Sequence, residues 1–282
     1  LLLKDHKLFK EIMNQSIDKV AVLGAGVMGA QIAGHFANAG IPGLLYDISQ
    51  ELAQKGVDGL TKMKPAPLYK PKNADLVEPC NYDEHLKKLN EVDLVIEAVA
   101  ERLDIKHAVY NNIVPHLKES VIMTSNTSGI PLSDLISVLP AHLKKRFMIT
   151  HFFNPPRYMR LLELIKGPDT DEAVYEMIAE FGEDVLGKGI VHAKDTPNFI
   201  GNRIGVLGMS VTMNTAMKNG LTVEEVDKLT GTVIGRPKSA TFRTADVVGL
   251  DTMINVSNTS YKNLPEDEER EEFKIPTFLQ KL

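Results

Sequence analysis

The chain contains eight histidines, and His151 is the one whose surroundings suggest chemistry. It ends a predicted strand, Phe147–Thr150, and ligands of open α/β sheets gather at strand ends of this kind. Imidazole titrates near neutral pH, so histidine is the usual group for taking a hydroxyl proton. Glu163 falls on a following predicted strand and can orient the imidazole as the carboxylate of a triad does. Ser128, in the run Ser125-Asn126-Thr127-Ser128-Gly129, sits just past another strand, where its hydroxyl can bind a substrate oxygen. Plainer readings stand beside these. A strand-end histidine is commonly structural. The serine run is partly a turn leading to a helix over 132–138, with Ser133 as its cap.

The run Gly24-Ala25-Gly26-Val27-Met28-Gly29 has the spacing G-x-G-x-x-G. It follows a predicted strand, Val20–Leu23, opens a predicted helix over 27–39 and precedes Asp47 at the end of the strand Gly43–Asp47. In that setting each glycine has a physical task. Gly24 allows the tight turn, Gly26 lets a pyrophosphate approach the backbone, and Gly29 lets helix and sheet pack closely. The helix start offers unpaired N–H groups and partial positive charge to phosphate. The Asp47 carboxylate can accept both adenosine ribose hydroxyls and would repel a 2′-phosphate, so the expected cofactor is NAD rather than NADP. A glycine-rich turn without ligand and an FAD site remain alternatives.

These residues need a sheet to hold them. Further strands are predicted at Val92–Val99, Val121–Thr124, Phe147–Phe152, Leu161–Ile165 and Ile190–His192, with helical stretches between most of them. Residues 170–186 form an amphipathic helix, with Val174, Met177, Ile178 and Phe181 on one stripe. The βαβα order implies a Rossmann-type, doubly wound, mostly parallel sheet covered on both faces. From Asn198 onward only helices are predicted, over 198–219, 222–230 and 244–262. The expected organisation is an α/β nucleotide-binding domain over 17–193 and a smaller all-α domain over 194–282, the latter truncated. Pro265–Glu272 reads as a solvated acidic loop. Between Asp47 and Lys64-Pro65-Ala66-Pro67 only a turn or two of helix fits, so the second crossover reads as irregular or short of residues.

Composition narrows the function. Of 282 residues, 43% are hydrophobic and 24% charged, enough to bury a substantial core. The net charge of −5 offers no broad basic face, which argues against a nucleic-acid partner. The single cysteine, Cys80, makes neither an internal disulfide nor a cysteine metal site, and no metal is expected. A reducing, cytoplasmic setting fits. No apolar run approaches the ~18 residues of a membrane span. The opening LLLKDHKLFKEIMNQ reads as a short amphipathic helix or an appended segment rather than a signal or transit peptide.

Taken together, the motifs resemble the L-3-hydroxyacyl-CoA dehydrogenase family of fatty-acid β-oxidation. The resemblance rests on GAGVMG (24–29), VIEAVAERLDIK (95–106), SNTSG (125–129), HFFNP (151–155), LLELIKG (161–167), KDTPNFIGNR (194–203) and DVVGLD (246–251), in order. The segments KPAPLY (64–69) and GRPKSATFRTADVVGLDT (235–252) resemble the dehydrogenase part of multifunctional enzymes. The resemblance implies that His151 is the catalytic histidine and Glu163 its partner carboxylate. It implies that Ser128 and Asn202 hold the substrate near its C3 oxygen. It implies that Glu101, Lys106, Ser128 and Asn154 line the NAD site, with Asp47 on the adenosine ribose. Lys106 could instead be a surface helix residue, and Asn202 a cap or an inter-domain packing residue.

Two departures concern the substrate. The family's helical extension after the second strand helps hold CoA, and it looks short here. Lys62, Lys64, Lys70 and Lys72 around it can meet CoA phosphates or simply face solvent. The chain also ends at Phe278–Leu282, before the family's usual closing segment. The reaction implied is oxidation of an L-3-hydroxyacyl-CoA to the 3-ketoacyl-CoA, with His151 as base and hydride passing to nicotinamide C4. A homodimer, or a module of a larger β-oxidation enzyme, is the implied assembly. Two other readings are a β-hydroxyacid dehydrogenase acting on a free acid through a lysine, and a non-catalytic NAD-binding scaffold.

Overall fold

The computed structural model describes residues 15–275. The expectations for the opening segment and for Phe278–Leu282 fall mainly or wholly outside them. By the density of contacts the chain divides into two compact units, with the division between Asp195 and Thr196.

The first unit is built in chain order from β1 (Val20–Leu23), α1 (Val27–Asn38), β2 (Gly43–Asp47), α2 (Gln50–Gly59), β3 (Val77–Asn81), β4 (Leu94–Glu97), α3 (Leu103–Ile113) and β5 (Ile122–Ser125). It continues with α4 (Leu132–Leu135), α5 (Ala141–Lys144), β6 (Phe147–Phe152), β7 (Leu161–Lys166), α6 (Glu172–Asp184) and β8 (Gly189–Ala193). One eight-stranded sheet runs β3-β2-β1-β4-β5-β6-β7-β8. Every neighbouring pair is parallel except β6 with β7. The mostly parallel, doubly wound Rossmann-like sheet is therefore present. The order turns back between β1 and β4, which opens a crevice at their C-terminal ends.

The central strands are apolar throughout because helices cover both faces. All four residues of β1 are buried, as are those of β4 and β5. One core joins Val20, Val22, Ile96, Phe36 and Met148 to Phe152 and the α6 residues Val174, Met177 and Ile178. Phe181 packs on its edge, its ring stacked at 6.0 Å on Phe36.

The segment after Asp47 departs from the sequence reading. It holds a ten-residue helix, α2, capped by Ser49, whose side chain accepts the Leu52 N–H. An additional strand, β3, then pairs with β2. Its sequence Val-Glu-Pro-Cys-Asn hides it, since glutamate and proline are poor strand formers; at a sheet edge the proline costs no ladder bond on its outer side. The crossover is thus complete. Lys62, Lys64, Lys70 and Lys72 are all exposed. Ser133 is not a cap: Pro131 occupies that position, and the Asp195 carboxylate accepts the Leu132 N–H at 3.0 Å.

The second unit comprises α7 (Gly201–Lys218), α8 (Val223–Thr230), α9 (Phe242–Val248) and α10 (Leu250–Asn263). A single helix over 244–262 is not found. Gly249, at φ +97°, ends α9 and starts α10, a backbone state that a residue with a Cβ rarely adopts. Met213, Ala245, Met253 and Ile275 form the core here. Thr222 and Glu225 make a reciprocal capping box at the start of α8. The acidic stretch after Pro265 is not wholly solvated: the Asp267 side chain is buried and pairs with Arg203, and Phe273 is fully buried. No helix among the described residues is long and apolar enough to cross a membrane.

Together the two units give an α/β sheet domain followed by an all-helical one, as the hydrophobic periods imply.

Candidate active site

The glycine loop joins β1 to α1, and its geometry explains each glycine. Gly24 takes φ +100°, and a Cβ there would lie 2.6 Å from the Ala98 carbonyl oxygen. A Cβ on Gly29 would lie 1.8 Å from the Gly24 oxygen, an impossible contact. Gly26 differs: a Cβ there would meet nothing within 4 Å. Its lack of a side chain therefore serves open space, not packing. Gly26 is also the N-cap of α1, with no side-chain cap on the helix N–H groups and no acidic residue in the first turn. Ala25, Val27 and Met28 complete the loop. This start of a helix is open and electropositive, which suits a pyrophosphate.

Asp47 ends β2 beside this loop. Its carboxylate accepts the Ala25 N–H and the Ile48 N–H, each at 2.7 Å. A cleft of about 800 Å³ borders Ala25, Gly26, Val27, Asp47, Lys55 and Lys62. The open cradle at Gly26 and the carboxylate at the end of β2 fit a dinucleotide whose adenosine ribose carries free hydroxyls.

Further along the sheet, β6 and β7 place His151 directly opposite Glu163. The His151 Nδ1 lies 2.8 Å from Glu163 Oε2. Both residues are buried. Register partners share a sheet face, so Glu97, Ser125, His151 and Glu163 all project from one face. The Phe153 ring lies 4.5 Å from the imidazole.

Ser128 lies three residues beyond β5, in a loop gripped by Glu101. Glu101 Oε1 accepts from Thr127 Oγ1 at 2.5 Å, Ser128 N at 2.9 Å and Gly129 N at 3.2 Å. Burial alone would raise the Glu101 carboxyl, but Lys106 and these donors outweigh it and hold it below the usual range. Lys106 is not a surface residue. It is 1% exposed, with its ammonium 2.7 Å from Glu97 Oε1 and 3.1 Å from Glu101 Oε2. Asn154 follows β6, and its Oδ1 accepts from Gln31 Nε2 of α1 at 3.2 Å. Asn202 belongs to the second unit, in the first turn of α7; the N-cap of that helix is Ile200.

Several residues escaped the sequence reading. Glu97 is the only acid inside the apolar run Val92–Ala98, apart from Asp93 near its start, and that isolation was the available signal. Asn126 hooks the Phe152 N–H at 2.8 Å. Lys188 points its ammonium at the Pro156 and Met159 carbonyls, and burial lowers it to about 8. Nothing in its sequence setting marks it.

Comparison with known proteins shows the family. Residues 19–196 match the family model for the 3-hydroxyacyl-CoA dehydrogenase NAD binding domain, and residues 199–282 match that for its C-terminal domain. A Bacillus subtilis protein described as a probable 3-hydroxyacyl-CoA dehydrogenase is 45% identical, over 95% of this chain and 36% of its own length. A Deinococcus radiodurans protein with the same description is 46% identical, over 90% of this chain and 75% of its own. The chain thus spans little more than a third of the first relative and three quarters of the second. The crystal structure of (S)-3-hydroxybutyryl-CoA dehydrogenase PaaH1 from Ralstonia eutropha superposes with a TM-score of 0.79 at 29% identity, covering 94% of this chain and 93% of that one.

Proposed function

The chain belongs to the 3-hydroxyacyl-CoA dehydrogenase family, and on that premise we propose that it oxidises an L-3-hydroxyacyl-CoA to the 3-ketoacyl-CoA with NAD. The observation that carries this reading is the buried His151–Glu163 contact at 2.8 Å on the sheet that also bears the glycine loop.

Bound NAD would supply the hydride acceptor, its nicotinamide C4. Gly24, Gly26 and Gly29 shape the loop that would hold its pyrophosphate, and Asp47 would take its adenosine ribose. Glu101, Lys106 and Asn154 are proposed, on the family resemblance, to line the rest of the NAD site. His151 is the base for the C3 hydroxyl. With Nδ1–H donated to Glu163, the basic lone pair lies on Nε2, and the carboxylate stabilises the imidazolium once the proton arrives. Ser128 would hold the substrate oxygen as charge develops on it. Asn202 is proposed as a second donor to that oxygen on the family resemblance alone.

A lysine-based reaction on a free acid has less support, because the chain holds a buried histidine–carboxylate pair suited to acid–base work. The assembly follows the same family: a homodimer, or one module of a longer β-oxidation enzyme, acting in the cytoplasm. The test is NADH formation from 3-hydroxybutyryl-CoA, with free 3-hydroxybutyrate as the comparison. Turnover of the thioester alone is expected. Turnover of the free acid alone would favour the lysine reading, and NADH binding without any turnover would favour a scaffold.

A further inference from the structure

Glu97 takes no part in the reaction proposed above, yet it sits at the centre of a charged cluster whose inner members, Glu97 and Lys106, are buried. It ends β4 and is fully buried. The Lys106 ammonium reaches its two oxygens at 2.7 and 3.0 Å and Glu101 Oε2 at 3.1 Å. One cation therefore serves two carboxylates. Glu97 also accepts from Val99 N at 2.8 Å, Tyr110 OH at 3.0 Å and Ser125 Oγ at 2.6 Å. Burying such a set is costly, and an apolar core would hold a strand end more cheaply.

What the cluster secures is the segment that carries Ser128. The Asn126 N–H donates to the Glu97 carbonyl at 2.7 Å. The Thr127 N–H donates at 3.1 Å to Ser125 Oγ, itself bound to Glu97. The Ser128 and Gly129 N–H groups donate to Glu101, which Lys106 holds. Three successive backbone donors, at Thr127, Ser128 and Gly129, thus end on this acid cluster or on a side chain it fixes, and the fourth, at Asn126, ends on the Glu97 main chain. Asn126 Oδ1 then accepts the N–H of Phe152, the residue after His151.

Resting on the reaction assigned above, we infer that Glu97 is a positioning residue: it anchors Ser125 and Lys106, and through them the cluster sets the Ser128 segment against the His151 strand. A displacement of about 1 Å at a reacting group can cost on the order of 10²-fold in rate, so a rigid charged clamp is worth its burial here.

The test uses Glu97→Gln and the milder Ser125→Ala, with three readouts: amide hydrogen exchange over residues 127–129, NADH affinity, and kcat on 3-hydroxybutyryl-CoA. Glu97→Gln should speed exchange at Thr127–Gly129 and lower kcat about 10-fold or more, with NADH affinity changed less than about 3-fold. Ser125→Ala, which removes the acceptor of the Thr127 N–H, should speed exchange at Thr127 and lower kcat in the same direction. Unchanged exchange at 127–129 in both variants, or NADH affinity lost in step with kcat, would overturn the inference. If the unmodified protein shows no turnover, the proposed reaction fails, while the exchange measurement still decides the clamp.

Discussion

His151 and Glu163 are direct partners across the one antiparallel pair of the sheet, with Nδ1 and Oε2 2.8 Å apart. The reversal of β7 brings this about. Had β7 run parallel to β6, its entry would lie at the far end of the sheet, and the third residue of the strand would not face the fifth residue of β6. The contact is therefore set by backbone register rather than by a flexible side chain. Its rigidity makes the pair a suitable base and orienting carboxylate.

Replacing His151 by Gln removes the proposed base and keeps the size. Loss of one well-placed general base costs about 10²–10⁴-fold. We expect a fall of that order in kcat for NADH formation from 3-hydroxybutyryl-CoA, with NADH binding unchanged. Near-normal turnover would show that another group takes the proton.

Glu163→Gln keeps an oxygen that can accept Nδ1–H but removes the charge that faces the imidazolium. A drop of roughly 10²-fold in kcat is expected, again with NADH affinity intact. Parallel loss of NADH affinity and rate would instead mean that the buried β7 position is needed for folding.

Much of this arrangement is legible in the sequence because its signals are local. A glycine spacing, an acid at a strand end and a histidine after an apolar run need no knowledge of distant residues. Glu97 and Lys188 are another matter. Their roles depend on what other strands and helices bring beside them, and a lone charge in an apolar run says only that a partner exists. The edge strand β3 was hidden for a different reason: Glu78 and Pro79 suit an edge and no other place in a sheet. The helix break at Gly249 depends on a positive φ, which a glycine permits and does not announce.

In the proposed reading the Asp47 carboxylate, which accepts the Ala25 N–H at 2.7 Å, takes the hydroxyls of the adenosine ribose. Replacing it by Asn removes the repulsion of a 2′-phosphate and one strong acceptor. NADPH should approach NADH in affinity, to within about 10-fold, through gain for the former and loss for the latter. The ratio of the two dissociation constants, by fluorescence titration, is the measurement. If the unmodified protein already prefers NADPH, the cofactor assignment is wrong.

Gly26 and Gly29 should separate binding from folding. A Cβ at Gly26 enters open space, whereas one at Gly29 meets the Gly24 oxygen at 1.8 Å. Gly26→Ala should therefore melt close to the unmodified protein and lose NADH affinity by about 10-fold or more, since its methyl fills the pyrophosphate cradle. Gly29→Ala should lower the melting temperature or yield no folded protein. Unchanged NADH affinity in Gly26→Ala would place the pyrophosphate elsewhere.

His35 links the phosphate-side helix α1 to acid stability. It is buried, and its Nε2 lies 3.1 Å from the Leu186 carbonyl oxygen. Burial first, then the nearby Lys188 charge, push it down from 6.5 to about 4, against a smaller upward pull from the Leu186 carbonyl. Its folded value is lower than its unfolded one, so between these limits the unfolded chain binds more protons, and stability rises with pH. The contribution of neutral His35 is full above about pH 6.5 and is lost as the pH falls through about 4. A shift of this size corresponds to roughly 3 kcal/mol. Urea midpoints at pH 7, 6 and 5 should therefore fall with acidification. In His35→Gln, which keeps a donor for the Leu186 carbonyl and cannot titrate, the fall should be shallower. An equal fall in both proteins would assign the acid sensitivity to other groups.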